Sequence, residues 1–253
     1  VHRSRARSPT QAVVAPDMIR DLNKYDRVYE RIKMSEGSQL RRLIAVSASA
    51  NKGRTTCPRQ PVSASSKQDE DDERRRSSLR CFLSQYVRAH RANENLAVRV
   101  QEWATRHGGV AVIGPLKRPE RAFEKAYENY YGDFTRLRDI SRGSITFPTI
   151  RRICDCLQDM MEDETVDVVR VKARLAPSFD ASESGGYRDV LVNVSFPDLR
   201  PCPMDRYIVE VQLHLDTFLQ IKNGDHGGGH KTYRIARLLH IFDRSVTRPT
   251  ISQ

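Results

Sequence analysis

Apolar positions along the chain change their spacing several times, and each change marks an element. Leu83, Tyr86, Val87, Leu96, Val100 and Trp103 recur at helical spacing from Leu79 onward and stop before Gly108-Gly109, which predicts a helix with a glycine stop. Val110 to Ile113 is a short apolar run that reads as a strand. Pro119 suits the first turn of a second helix, with Phe123, Tyr127, Tyr130 and Tyr131 on its apolar side and Gly132 at its end. Ile140 to Phe147 reads as a strand, and Pro148 opens a third helix through Ile153, Leu157 and Met161. Three strands follow in succession, Val166 to Leu175, Tyr187 to Phe196 and Tyr207 to about Leu213. Two helices then close the chain, around His214 to Lys222 and His230 to Ile241. Consecutive strands among helices predict an α+β (mixed α/β) fold, with a mixed sheet of about five strands flanked by helices.

The N-terminal third has a different texture. Residues 1–16 carry Arg3, Arg5 and Arg7 with few large apolar groups and read as a disordered basic tail. Residues 17–46 hold Met18, Leu22, Tyr25, Val28, Tyr29 and Ile32 at helical spacing, a short amphipathic helical segment with Asp17 placed as its N-cap. Residues 47–78 mix Ser, Arg, Gln and acidic groups and read as a disordered linker. Residues 79–253 form the expected folded domain.

Charge sharpens this division. The 253 residues carry a formal +11, of which +7 lies in residues 1–78 and +4 in residues 79–253. A basic arm of this kind could bind RNA or another acidic partner through counterion release, but it lacks the interleaved aromatics of a stacking platform, and a solvated, disordered arm is the plainer reading. No apolar run approaches the roughly 18 residues needed to cross a bilayer, so no membrane span is expected. Five cysteines at irregular spacing suit neither a disulfide framework nor a zinc knuckle, and point to a reducing, cytoplasmic compartment.

Alternation sorts the three consecutive strands into two faces. Val169, Val171, Ala173 and Leu175 oppose Arg170, Lys172 and Arg174 in the first. Val190, Val192, Val194 and Phe196 oppose Tyr187, Asp189 and Asn193 in the second, and Val209, Val211 and Leu213 oppose Glu210, Gln212 and His214 in the third. The polar face is then a floor of cations, carboxylates, amides and one aromatic ring, suited to a nucleotide. The same alternation is also what an antiparallel sheet shows when one face is merely wet.

Lys117, Arg121 and Lys125 recur every four residues around a helix start and predict a cationic ridge near an N-terminus that attracts phosphate. A solvated face beside Glu120, Glu124 and Glu128 is the plainer alternative. Asp139 at a strand entry and Glu210 within a strand are a candidate pair for Mg²⁺, which takes oxygen ligands and bridges to phosphates. Each alone equally suits an ion pair. The loop DHGGGH at 225–230 reads as a helix entry.

Taken in order, these segments resemble the synthetase domain of the RelA/SpoT family, a branch of the nucleotidyltransferase superfamily. LKRPERAFEK resembles its ATP-phosphate segment through Lys117 and Lys125, and LRDISRGSI places Asp139 as the first magnesium aspartate. RVKARL resembles the basic strand before the acceptor site, GGYRDVLVNV the Gly-Tyr segment, and EVQLHL the Glu-x-Gln strand. HKTYRIAR is similar to a His-x-x-Tyr element near the end of small members. The match departs at Arg121 for a serine, at Arg142-Gly143-Ser144 for Gly-x-Arg, at Leu191 for a histidine and at His214 for an arginine.

The resemblance implies a nucleotidyltransferase-like sheet and transfer of pyrophosphate from ATP to the 3′-hydroxyl of a guanine nucleotide, with Mg²⁺ as cofactor. Asp139 and Glu210 would be catalytic and hold the metal. Lys117, Arg121, Lys125, Arg142, Arg170 and Lys172 would bind phosphates, and Tyr187, Gln212 and His214 the acceptor, with the exposed Tyr187 ring stacked on its base. The departures leave two alternatives: a catalytically degenerate binding domain, or transfer to another acceptor such as an adenine nucleotide or a tRNA 3′ end.

Overall fold

The helical spacing that begins at Leu79 belongs to a long helix, but its buried face is Phe82, Ala89, Ala92, Leu96, Val100 and Trp103, whereas Leu79, Leu83 and Val87 of the expected stripe are exposed. In the computed structural model, which describes residues 16–53, 58–60, 72–197 and 207–224, that helix is α3 (Asp72–His107), preceded by α1 (Pro16–Ser35) and α2 (Gly37–Ala50). Then come β1 (Val110–Ile113), α4 (Pro119–Tyr130), β2 (Arg142–Phe147), α5 (Ile150–Glu162), β3 (Asp167–Ala173), β4 (Val190–Ser195), β5 (Ile208–Leu215) and α6 (Asp216–Asn223). Local chemistry sets several of these limits. Pro119 opens α4, and Tyr131 in the left-handed region closes it. Thr149 caps α5, its hydroxyl accepting the Arg152 N–H, and Ile150, Ile153, Cys154, Leu157 and Met160 form one buried stripe.

The five strands make one mixed sheet in the order β1-β2-β5-β4-β3. β2 and β5 run parallel and the other three pairings are antiparallel. This is the α+β class and strand number expected from the sequence. α3 packs on β1, β2 and β5, α5 on β2, β5 and β3, and α2 on β3 and α5. Val190, Val192, Val194, Val209, Val211 and Leu213 enter the core from the sheet, as alternation requires.

One strand breaks the expected parity. The register of β3 against β4 slips between Val168 and Arg170, so that Val168 faces Val194 while Arg170 faces Asn193. Val169 is the extra residue of a bulge. Upstream of it Val168, rather than the expected Val169, joins the core cluster.

The N-terminal third also differs from expectation. The segment placed at residues 17–46 is two helices, and Tyr25, Tyr29, Ile32, Leu40 and Leu43 lie in the same core as the sheet. Their amphipathic stripes are completed by surface that the sequence does not advertise, namely the edge strand β3 and α6. Within the stretch expected to be a disordered linker, Asn51 and Gln60 are fixed by hydrogen bonds to strand backbone. Asn51 closes the outer edge of the sheet: its amide donates to Val171 O at 2.7 Å and accepts the Val171 N–H at 3.0 Å. Residues 1–15 of the basic tail, 54–57 and 61–71 of the expected linker, the loop at 225–230, the helix expected at 230–241, Cys57 and Cys202 lie outside the described residues. Among the described residues no helix is long and apolar enough to cross a membrane.

Candidate active site

Register fixes which polar residues become neighbours. Arg142, Glu210, Asn193 and Arg170 form one row across β2, β5, β4 and β3. Ser144, Gln212, Leu191 and Lys172 form the next. Thr146 and His214 begin a third, which Asp189 and Arg174 continue: His214 Nδ1 is 3.9 Å from Asp189, and Arg174 donates to both Asp189 oxygens at 2.6 and 2.8 Å. The predicted polar floor is therefore a grid whose two ends have different chemistry.

At one end, the loop before β2 brings Asp139 beneath two ammonium groups. Lys117 Nζ is 2.7 Å and Lys125 Nζ 2.8 Å from the same oxygen, Asp139 Oδ2. Burial works to raise the Asp139 pKa, but Lys125 and Lys117 outweigh it and hold the carboxyl well below the usual range. The two lysines respond oppositely to this shared partner. Burial dominates at Lys117 and lowers its pKa, with Lys125 and Arg142 adding repulsion. At Lys125, Asp139, Tyr130 and Glu210 together overcome burial and raise it.

Glu210 lies beside this cluster. Burial first, and then the Asp139 charge, push its carboxyl up to about 7. Gln212 Nε2 donates to Glu210 Oε1 at 3.0 Å, and the Glu210 backbone N–H donates to Ser141 O at 3.2 Å, tying β5 to the strand entry that carries Asp139.

The donor set fits a hard divalent cation. Asp139 Oδ1 is buried and has no hydrogen-bond partner among the described residues, and a second carboxylate stands close enough to repel it. Such a pair would supply two oxygens and leave the other positions of Mg²⁺ to water and phosphate. No three His, Cys, Asp or Glu gather into a cage among the described residues.

At the other end the floor is roofed. Tyr187 is 2% exposed, and its hydroxyl shares a 2.6 Å hydrogen bond with His214 Nδ1. Tyr25 of α1 meets the ring edge-on at 6.1 Å, Phe218 of α6 meets it at 6.4 Å, and Lys222 Nζ lies 4.6 Å from its centroid. Gly186, at φ 86°, makes room for this roof: a Cβ there would come within 2.9 Å of Tyr25. Burial, helped by Lys222 and Arg174, lowers the His214 pKa to about 4 against the pull of Asp189, so the ring is neutral at pH 7.

Of the residues singled out in the sequence, Lys117, Lys125, Asp139, Arg142, Glu210 and Gln212 come together. Three do not take their expected places, and one of them is His214, expected to meet the acceptor but 4% exposed and bonded to the Tyr187 hydroxyl. Arg121 points to solvent with 61% of its side chain exposed and pairs with Glu124, although it lies one turn before Lys125 on α4. Tyr187 has the expected face but not the expected exposure, since α1 and α6 close over it. Arg170 and Lys172 stand in the outer column on β3, with Lys172 Nζ 5.3 Å from the Phe179 ring.

Lys222 was not singled out at all. No strand alternation marks a residue that arrives from a helix folded back over the sheet. Its pKa is lowered by burial, which outweighs the attraction of Asp189, with Arg174 and Arg142 adding to the lowering.

No family model matches this sequence, and no curated protein does. Solved structures do match. The small alarmone synthetase 1 of Bacillus subtilis bound to its product pppGpp aligns with TM-score 0.46 and 16% identity over 64% of this chain and 92% of that one. A GTP pyrophosphokinase family protein from Streptococcus pneumoniae aligns with TM-score 0.44 and 14% identity over 65% and 89%. The Type VI effector Tas1, in complex with its immunity protein, aligns with TM-score 0.42 and 18% identity over 68% and 87%. The likeness is one of fold alone.

Proposed function

We propose that the chain is a nucleotide pyrophosphokinase that moves the pyrophosphoryl group of ATP to the 3′-hydroxyl of a guanine nucleotide. What supports the reading above all is the shared Asp139 carboxylate, bridged by Lys117 and Lys125 on one oxygen and without a hydrogen-bond partner among the described residues on the other, next to Glu210. The order of motifs along the chain supports it too.

In this reading Lys117, Lys125 and Arg142 receive the ATP phosphates and orient the chain of phosphorus atoms. Glu210, with a carboxyl near 7, takes the proton of the acceptor hydroxyl as the O3′–Pβ bond forms and the bond from Pβ to the oxygen bridging to Pα breaks, so that AMP leaves. Gln212 holds the Glu210 carboxylate in place. Mg²⁺ held by Asp139 and Glu210 would neutralise phosphate charge when bound.

The burial of Tyr187 favours a second reading on the acceptor side, because a ring already packed between Tyr25, Phe218 and Lys222 offers no free face to a guanine. An adenine nucleotide or a tRNA 3′ end then becomes the acceptor, or the domain binds a nucleotide without turnover. Incubation with β,γ-labelled ATP, Mg²⁺ and GTP, GDP, adenine nucleotides or tRNA separates these readings. Label on a guanine nucleotide is the expected result, label elsewhere moves the acceptor, and no transfer to any of them removes the enzymatic reading. The basic arm around Arg3, Arg5 and Arg7 is read as the contact for RNA or another acidic partner, with an affinity that falls steeply as salt rises.

A further inference from the structure

Three residues of the N-terminal third, Pro58, Arg59 and Gln60, all reach the segment that leads into Asp139. Arg138 Nε donates to Pro58 O at 2.9 Å, Arg59 stands 3.5 Å from Asp133, and the Gln60 backbone N–H donates to Thr135 O at 2.7 Å. The Gln60 side chain goes further. It is 2% exposed, and its Nε2 donates both to Leu137 O at 2.9 Å and to Ile208 O at 2.6 Å. Its Oε1 accepts the Ile208 N–H at 2.8 Å.

Leu137 lies two residues before Asp139, and Ile208 two residues before Glu210. β5 pairs with β2 only from Glu210 onward, where β2 begins at Arg142. Below that point the inner side of β5 has lost its neighbour, and Ile208 has the same parity as Glu210, whose N–H reaches Ser141. The Gln60 carboxamide occupies the gap as a one-residue strand and uses its remaining proton to hold Leu137.

We infer that Gln60 is the positioning residue that sets the spacing of Asp139 and Glu210. One amide is hydrogen-bonded to both chain segments that carry the two carboxylates, each at the same distance along the backbone from its carboxylate. The inference rests on the reading of Asp139 and Glu210 as the metal-holding pair, and it makes part of the N-terminal third a component of the site. Asn51 supplies an internal control. Its carboxamide makes the same bidentate bond to strand backbone at Val171, on the outer edge strand β3, away from both carboxylates.

The test is Mn²⁺ affinity, measured by electron paramagnetic resonance on the full chain, for wild type, Gln60→Met, Gln60→Asn and Asn51→Leu, each with its melting temperature. Outer-shell supports of metal ligands typically contribute about 10- to 100-fold in affinity. Gln60→Met should therefore weaken Mn²⁺ binding at least about tenfold, while Asn51→Leu lowers the melting temperature with affinity unchanged. Gln60→Asn keeps the amide but is one methylene short of spanning both carbonyls; it should fall between, and it serves as the reading if Gln60→Met does not fold. Equal melting losses with unchanged Mn²⁺ affinity in the Gln60 variants would overturn the inference. A wild-type chain that binds no Mn²⁺ overturns it together with the metal-holding pair. Wild type that binds Mn²⁺ yet transfers nothing to any acceptor overturns the proposed function and leaves Gln60 its role.

Discussion

The two ends of the polar floor bury similar kinds of groups and solve the problem in opposite ways. At the end formed by His214, Asp189, Arg174 and Tyr187, the strongest charges are paired: Arg174 and Asp189 form a bidentate bridge, His214 is neutral, and the Tyr187 hydroxyl has its partner. At the end formed by Lys117, Lys125, Asp139 and Glu210, two cations crowd one oxygen, its twin has no hydrogen-bond partner among the described residues, and a second carboxylate is raised toward neutrality. A satisfied polar network rigidifies; a buried network left short of partners costs stability unless something else completes it. On the proposed function, the first end holds the protein's own chain and the second is left for a ligand that arrives.

Asp139→Asn tests the incomplete end most severely, and the largest effect is expected there. The substitution keeps the shape but removes the charge that holds Lys117 and Lys125 together. Transfer activity should fall by about a hundred- to a thousandfold, on the scale of losing a group that positions transition-state charge, and Mn²⁺ binding should disappear. Two ammonium groups left buried without their anion should also cost roughly 3–5 kcal/mol of folding stability. Retained activity in Asp139→Asn would dissolve the contrast between the two ends.

Tyr187→Ala probes the paired end, where the expected result is loss of stability rather than a selective loss of acceptor binding. Truncating a ring packed between Tyr25, Phe218 and Lys222 should cost about 3–5 kcal/mol. Tyr187→Phe, which removes only the hydroxyl bonded to His214, should cost about 1 kcal/mol. Chemical denaturation of both variants measures the ratio. A Tyr187→Ala protein with native stability and weakened acceptor binding would return the ring to the exposed, stacking role that alternation alone suggests.

How far alternation reaches is visible in these same residues. It assigned Tyr187, Asp189, Asn193, Glu210, Gln212 and His214 to one face, because strand parity is a property of neighbouring residues. It missed the parity change at Val169, because a bulge depends on how β3 meets β4 rather than on the sequence of β3. It said nothing of exposure on that face, because the roof is Tyr25, more than a hundred residues away in sequence, together with Phe218 from a helix after the last strand. Asp139 and Glu210 were legible as acids in apolar settings, and Lys117 and Lys125 from their place around Pro119. Gln60 was not legible, since a single amide in a stretch rich in Ser, Arg and Gln carries no periodic signal, and its strand-like role exists only once β2 stops short of Ile208.

The two ends should also fail at opposite pH. Glu210 has a folded-state pKa of about 7, above its ordinary value of 4.5. The folded state therefore holds that proton more tightly, and stability present below pH 4.5 is lost as pH rises through about 7. His214 is depressed from 6.5 to about 4, so its contribution is present above 6.5 and lost as pH falls toward 4. In metal-free buffer, Glu210→Gln should gain melting temperature over wild type between pH 5 and 8, and His214→Gln should be the less acid-sensitive below pH 6. Each effect should amount to a few kcal/mol at most. Adding Mg²⁺ should narrow the Glu210→Gln advantage at pH 8, since the ion favours the charged carboxylate. Parallel pH profiles for all three proteins would show that the two ends do not differ in protonation.

Arg121→Ala should have the smallest effect, and it sharpens the comparison by marking where the incomplete end stops. The spacing of Lys117, Arg121 and Lys125 invites a single ridge, but only the outer two reach Asp139. Arg121 is turned outward, its side chain 61% exposed and paired with Glu124, itself 47% exposed, one turn away. An exposed pair of this kind contributes about 0–1 kcal/mol, and less as salt rises. Loss of the guanidinium should leave melting temperature and Mn²⁺ affinity unchanged and move KM for ATP by less than about twofold, whereas Lys125→Ala should raise that KM by at least about tenfold. The contrast between two cations four residues apart on one helix compares a charge turned to solvent beside Glu124 with one buried against Asp139. A KM rise in Arg121→Ala comparable to that in Lys125→Ala would mean that α4 rotates or Arg121 swings inward when ATP binds, and would extend the cationic end of the floor by one residue.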